Sequence, residues 1–84
     1  MPTAYVLLNS DLGSDEEIIS KIKELLSNDS SVQYEVQGVY GVYDIIVKIT
    51  SKSIDDIRSI ITDQIRKINK VHSTLTMMVI EEQG

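Results

Sequence analysis

The chain has 84 residues with a formal net charge of −5, no cysteine and one histidine, and this length holds one small domain with a modest core. The acidic balance argues against nucleic-acid binding by this chain alone, because the phosphate backbone attracts basic surfaces, and the lack of cysteine excludes disulfides and thiolate metal sites. No apolar run approaches the roughly 20 residues that span a bilayer and the first residues lack the pattern of a signal peptide, so we expect a cytoplasmic protein.

The N-terminal part of the chain predicts a strand followed by a helix. Residues 3–9 form an apolar run that is too short for a helix, which indicates a buried strand. Ser14 and Glu17 have the spacing of a capping box, in which the Ser14 hydroxyl and the Glu17 carboxylate bind backbone N–H groups at the start of a helix. The helix is expected to end near residues 27–29. The apolar side chains that recur on one of its faces are Ile18, Ile19, Ile22, Leu25 and Leu26.

The middle of the chain predicts two neighbouring strands. Gly38 and Gly41 lie between them and indicate a bulge and a turn. Over residues 32–40, apolar and polar side chains alternate as in a half-buried strand, and the inward residues are Val32, Tyr34, Val36 and Tyr40. Residues 43–50 form a second β-rich run, in which Tyr43, Ile45, Val47 and Ile49 share one face.

The C-terminal part predicts a second helix and a last strand. Ser53 is the expected N-cap, and Asp55 and Asp56 follow in the first turn, where the helix dipole favours carboxylates. The order β-α-β-β-α-β over residues 1–84 predicts a single α+β domain, a ferredoxin-like sandwich whose four-stranded antiparallel sheet carries both helices on one face. The apolar stripe of the second helix is Ile54, Ile57, Ile61, Ile65 and Ile68, and residues 71–80 form the last strand.

The opposite face of this sheet has no element of the chain to cover it. Because apolar residues on it would be exposed in a monomer, we expect a second copy to pack against it, related by a two-fold axis; the alternative is a solvated face with scattered apolar residues. Alternation assigns to this face, to within one residue of register, Leu7, Gln33, Glu35, Gln37, Asp44, Ile46, Lys48, His72, Thr74, Thr76 and Met78. The expected dimer interface within this set comprises Leu7, Ile46, Lys48, His72, Thr74, Thr76 and Met78.

The segment from residue 36 to residue 48 resembles the central signature of the effector domain of the Lrp/AsnC transcriptional regulators, also called the RAM domain. That signature runs from a Val-rich strand through Gly-x-Tyr/Trp-Asp into an aliphatic strand, and here it reads Gly41-Val42-Tyr43-Asp44. Residues 4–8 and 71–76 are similar to the flanking strands of that domain. Members of the family carry an N-terminal helix-turn-helix domain, whereas this sequence opens on its first strand, so we expect a stand-alone effector domain that does not bind DNA directly.

The resemblance implies an effector site beside this loop and assembly of sheet-paired dimers into larger oligomers. Glycines allow backbone amides to approach a carboxylate, Asp44 offers a negative charge to an ammonium group, and Tyr40 and Tyr43 offer surface to a side chain. Hydroxyl groups of the last strand add further hydrogen bonds. The expected effector-binding residues are Val39, Tyr40, Gly41, Val42, Tyr43, Asp44, Ser73, Thr74 and Thr76.

Each of these assignments has a simpler structural alternative. In this alternative, Gly38 and Gly41 serve only to permit a bulge and a hairpin turn. Asp44 then pairs with a nearby lysine or holds the turn, and Tyr43 is then a core aromatic residue with a solvated hydroxyl group.

Three functions follow from these observations. The first is a non-catalytic, oligomeric module that senses an amino acid or a related metabolite and co-assembles with full-length Lrp/AsnC regulators. The second is a protein that binds or senses a divalent metal, zinc or copper, through His72 and acidic side chains; the alternative for His72 is a structural histidine or one at the rim of an interface. The third, a small ferredoxin-like enzyme, is disfavoured because no spacing ties a nucleophile to a base and an orienting group.

Overall fold

The computed structural model describes residues 1–80, and its strands and helices follow the predicted order. The elements are β1 (Thr3–Ser10), α1 (Asp15–Ser27), β2 (Gln33–Gly38), β3 (Ile45–Thr50), α2 (Ile54–Ser59), a π-helical segment (Ile60–Ile65) that continues α2, and β4 (Val71–Met78). The sheet has the strand order β2-β3-β1-β4 with every pairing antiparallel, which confirms the ferredoxin-like α+β fold. No helix in this part of the chain combines the length and the hydropathy that a membrane crossing requires.

The core lies between the sheet and the helices and consists mainly of isoleucine, valine and leucine. Strand residues two apart and helix residues three or four apart point to the same side, which is how the sequence periods generate one buried layer. Burial of each valine, leucine or isoleucine side chain contributes about 1.5–3 kcal/mol to stability. The sheet supplies Ala4, Val6, Leu8, Ile45, Val47 and Ile49, and α1 supplies Ile18, Ile22 and Leu26.

The two helix starts differ in how they are capped. Ser53 accepts a hydrogen bond through its side chain from the Asp56 N–H at 3.1 Å, as predicted. Ser14 makes no such side-chain bond, and its ψ of 1° departs from the extended backbone usual for an N-cap. Glu17 instead forms an ion pair with Lys70 at 2.8 Å. The prediction of a capping box was therefore wrong.

The second helix changes its winding halfway along. In the π segment the Arg66 N–H donates to the carbonyl of Ile61, five residues earlier, rather than four as in an α-helix. Ile57, Ile61 and Ile65 of the predicted stripe are buried, and the stripe differs from the prediction at two positions. Ile60 is buried although the predicted stripe omitted it, and Ile54 is 45% exposed although the stripe included it.

The register of β4 differs from the prediction by one residue. Asn9 pairs with Ser73 and Ser10 pairs with Val71, so His72 is the extra residue of a β-bulge. A bulge reverses the alternation of every residue that follows it. Directly opposite residues of an antiparallel pair share a face, and Thr74, Thr76 and Met78 pair with the core-facing residues Leu8, Val6 and Ala4.

The predicted set for the uncovered face is therefore corrected on this strand. Thr74, Thr76 and Met78 face the helices, and their assignment to the opposite face was wrong. The β4 residues on the uncovered face are Ser73, Leu75 and Met77, which lie beside Asn9, Leu7 and Tyr5 of β1.

The uncovered face has an apolar half and a polar half. The prediction that Leu7, Ile46 and Lys48 lie on it is confirmed by the pairings of Leu7 with Ile46 and of Tyr5 with Lys48. The apolar half lies over β4, β1 and the start of β3, and the polar half lies over β2 and the rest of β3. The apolar half consists of Tyr5, Leu7, Ile46, Leu75 and Met77, and the polar half of Gln33, Glu35, Gln37, Lys48 and Thr50.

The hydroxyl group of Ser51 gives a test of this packing. Ser51 is completely buried, and its Oγ has no hydrogen-bond partner among the described residues. Because a buried unpaired hydroxyl costs free energy, we expect Ser51→Ala to raise the free energy of unfolding by about 1 kcal/mol in urea denaturation. The control is Thr50→Val, which removes the hydrogen bond between Thr50 Oγ1 and Thr3 Oγ1 at 3.0 Å and should lower stability by about 1 kcal/mol. A loss of stability in Ser51→Ala would contradict the prediction.

Candidate functional site

The candidate effector loop, residues 39–44, joins β2 to β3 and is held at both ends by Asp44. The Val39 N–H donates to the Asp44 carbonyl at 2.8 Å, and the Asp44 N–H donates to the Leu8 carbonyl at 2.9 Å. The Asp44 carboxylate accepts a hydrogen bond through Oδ2 from the Ser10 N–H at 3.0 Å. Asp44 therefore anchors the loop to β1, in agreement with the structural alternative in which it holds the turn.

Between these anchors the loop presents apolar side chains to solvent. Tyr40 is fully exposed and Val42 is 85% exposed, whereas Tyr43 is half-buried. β2 ends at Gly38, so the prediction of Tyr40 as an inward strand residue was wrong. Leu12, in the connection that follows β1 at this end of the sheet, is also fully exposed. Exposed apolar side chains that lie together at one end of a sheet are typical of an interaction site.

The loop also carries polar groups that the rest of the fold leaves unpaired. The backbone N–H groups of residues 40–43 donate no hydrogen bond to any of residues 1–80. Asp44 Oδ1 likewise accepts none within this part of the chain, since only Oδ2 is engaged. A short segment therefore combines free amide donors with a free carboxylate oxygen. Amide donors bind a carboxylate and a carboxylate oxygen binds an ammonium group.

The hydroxyl residues assigned to the same site lie on different sides of the sheet. Ser73 lies on the uncovered face, where its Oγ accepts a hydrogen bond from Asn9 Nδ2 at 3.1 Å. Thr74 and Thr76 lie on the helix side, because of the bulge. The structure therefore does not bring the three hydroxyl groups together, and the compact part of the predicted site is the loop itself.

His72 is exposed and contacts a single acidic side chain. Its Nε2 lies against Oδ1 of Asp11, the residue that follows β1. No group of three or more His, Cys, Asp or Glu residues that could hold a metal is present in residues 1–80. Because a structural zinc site takes four protein ligands, one copy supplies only half of such a set here. Zinc or copper binding through His72 stays a prediction.

Lys70 links the elements beside this end of the sheet. Its carbonyl accepts a hydrogen bond from the Asp11 N–H at 2.9 Å, and its ammonium group binds the Glu17 carboxylate. The hydrogen bond with Glu17, followed by the charge of the same carboxylate, raises the pKa of Lys70 above its ordinary value. Lys70 is therefore a cation at neutral pH, and it connects α1 with the start of β4.

A cleft of about 710 Å³ lies between α1 and the second helix, and no pattern in the sequence predicts it. The width of this cleft depends on how far apart the two helices sit on the sheet, and helical periods carry no information on that distance. None of the predicted effector residues lines it. Its apolar floor is Ile18, Leu25 and Ile68, and its rim carries Glu17, Lys21, Glu24, Asp63, Lys67 and Lys70.

The chain is similar to known proteins over nearly all of its length. The family model for the Lrp/AsnC ligand binding domain matches residues 3–83. Hypothetical protein PHS023 from Pyrococcus horikoshii is 35% identical with a TM-score of 0.77, and the match covers 98% of this chain and 93% of that one. No curated protein sequence matches this chain.

Two larger transcription regulators share the fold. AsnC of E. coli is 21% identical with a TM-score of 0.77, and the match covers 96% of this chain and 52% of AsnC. The transcriptional regulator NMB0573 from Neisseria meningitidis, solved as a complex with L-Met, is 10% identical with a TM-score of 0.71, covering 96% of this chain and 51% of that one. At these identities the likeness shows the fold alone, and this chain spans about half of each regulator.

Gly41 gives a test of the loop conformation. Its φ of +141° lies in a region that side-chain-bearing residues rarely adopt, although an added Cβ would meet no atom within 4 Å. We expect Gly41→Ala to lower the free energy of unfolding by about 1–3 kcal/mol in urea denaturation, because of backbone strain alone. The control is Gly38→Ala, whose Cβ would make an ordinary 3.6 Å contact with Ile19 Cδ1 and should change stability by no more than about 1 kcal/mol. Equal effects of the two substitutions would show that strain at Gly41 is absent.

Proposed function

Because this chain belongs to the Lrp/AsnC ligand-binding domain family, we propose that it is a non-catalytic regulatory module that senses an amino acid or a related metabolite. The family match over residues 3–83 supports a regulatory, effector-binding role. The identity of the effector class rests on the chemistry of the candidate effector loop. The proposed partners are a second copy of this chain and full-length Lrp/AsnC regulators.

The observation that carries the proposal is that residues 40–44 hold both backbone N–H donors and a carboxylate oxygen that make no hydrogen bond to residues 1–80. An amino acid presents a carboxylate and an ammonium group on adjacent atoms, and the unpaired amides and Asp44 Oδ1 complement these two charges. The exposed side chains of Tyr40 and Val42 then offer apolar surface to the ligand side chain. The regulator from Neisseria meningitidis, solved as a complex with L-Met, is a protein of the same fold bound to a ligand of this class.

The proposal includes a dimer that forms through the uncovered face. Tyr5, Leu7, Ile46, Leu75 and Met77 make this half of the face apolar, and no element among residues 1–80 covers it. Two copies related by a two-fold axis bury the same patch against itself. Effector binding at the loop would then act on contacts between such dimers, since the loop projects Tyr40 and Val42 beyond the end of the sheet.

Asp44→Asn tests the effector site. Asparagine keeps an oxygen that accepts the hydrogen bond from the Ser10 N–H but removes the negative charge that an ammonium group requires. We expect an amino acid to raise the melting temperature of the wild type and to bind Asp44→Asn about tenfold more weakly or worse in isothermal titration calorimetry. The initial screen is a thermal-shift panel of all the protein amino acids.

Asp63→Asn is the matched control for this experiment. Asp63 lies in the π segment, where its Oδ2 accepts a hydrogen bond from Ser59 Oγ, and its substitution makes the same change in net charge. We expect it to bind the amino acid as the wild type does. A panel in which no amino acid shifts the wild-type melting temperature would overturn the proposal, as would equal losses in the two variants.

Leu75→Lys tests the dimer. Leu75 lies on the uncovered face and is 43% exposed in a single copy, so the substitution leaves the core intact but places a charge in the proposed interface. We expect it to weaken dimerisation by about 2 kcal/mol or more and to sediment as a monomer where the wild type is a dimer. Ile54→Lys makes the same kind of change at the start of α2, on the opposite side of the sheet and at a residue that is 45% exposed, and should stay dimeric. A monomeric wild type, or a dimeric Leu75→Lys, would contradict the interface.

A further inference from the structure

The basic residues of the second helix and of the connection that follows it fall into two sets, which line two different surface depressions. Lys67 and Lys70 line the cleft beside α1. Arg58 and Arg66, the only arginines in the sequence, line a different groove of about 320 Å³ beside β4. The remaining residues of this groove are Ile61, Thr62, Thr74 and Thr76.

The bulge in β4 and the residue spacing of the second helix together form this arginine groove. The bulge at His72 turns Thr74 and Thr76 toward the second helix. Arg58, Thr62 and Arg66 follow at intervals of four residues along α2 and the π segment, so they succeed one another along the helix surface. β4 is an edge strand of the sheet, and the groove therefore opens at the edge of the molecule.

Both arginines lack a counter-charge. Neither guanidinium group forms an ion pair or a hydrogen bond with any of residues 1–80, although the sequence has 13 acidic residues. Each guanidinium carries planar N–H donors that suit the two oxygens of a carboxylate or phosphate. The threonine hydroxyl groups add donors beside them.

We propose that the arginine groove binds a small organic anion through a phosphate or carboxylate group. Arg58 and Arg66 neutralise its charge, the hydroxyl groups of Thr62, Thr74 and Thr76 donate hydrogen bonds to its remaining oxygens, and Ile61 contacts its carbon atoms. This site is separate from the candidate effector loop and uses none of residues 39–44. It reassigns Thr74 and Thr76 from the amino-acid site to an anion site on the helix side of the sheet.

The test is a titration of the ¹⁵N-labelled full chain, followed by amide NMR at constant ionic strength, with inorganic phosphate in one arm and succinate in the other. We expect saturable shifts at the amides of residues 58, 62, 66, 74 and 76. Tighter binding of phosphate identifies a phosphate ligand, and tighter binding of succinate identifies a carboxylate ligand. Absence of saturable shifts in both arms, or shifts spread over the lysines of the surface, would overturn the proposal.

Three variants distinguish a specific anion site from non-specific attraction of anions to the positive charges of the surface. Arg66→Gln should bind the preferred probe about tenfold more weakly or worse, because one charge-assisted contact is lost. Lys67→Gln removes the same charge from the neighbouring residue, which lines the opposite cleft, and should bind as the wild type does. Thr74→Val keeps the shape of the side chain and should weaken binding through loss of the hydroxyl group. Equal weakening in Arg66→Gln and Lys67→Gln would show that no specific site exists.

Discussion

The pairing of β4 with β1 determines what each side of this protein presents. His72 is the extra residue of a bulge, so Val71 packs against the core while the alternation of all later residues is reversed. Leu75 consequently contributes to the apolar half of the uncovered face, and Thr74 contributes to the groove beside the arginines. Because of this one inserted residue, the side of β4 that carries Leu75 suits a second copy of the chain, and the side that carries Thr74 suits an anion.

At the end of the sheet near the candidate effector loop, anchored loop ends lie next to exposed side chains. Asp44 uses its backbone and one carboxylate oxygen to hold the loop on β1, and this leaves its other oxygen unpaired. The structural and the functional interpretation of Asp44 are therefore compatible, because a carboxylate that is fixed through one oxygen presents the other in a defined position. Tyr40 and Val42 extend from the same loop into solvent. A partner or ligand at this end would meet a loop whose ends are hydrogen-bonded and whose middle residues are exposed.

The sequence predicted the elements and much of the core, but only the loop of the candidate site. Helical and strand periods identified Ile18, Ile22 and Ile57 as buried, since periodicity reports which side of an element faces inward. The Gly-x-Tyr-Asp segment drew attention to residues 39–44 through a family resemblance. The arginine groove and the interhelical cleft went unseen, because each joins residues that are distant in the chain and share no local pattern.

The sequence by itself determined the β-α-β-β-α-β order, the inward faces of β1 and β3 and the N-cap at Ser53, because these depend on interactions within a few residues of the chain. The tertiary structure decided the register of β4 and the winding of the second helix. A bulge forms only where two strands meet, and a π-helical turn is retained only where packing against the sheet offsets its poorer geometry. The composition indicated a small acidic domain, and the fold decided where its two arginines and its apolar face lie.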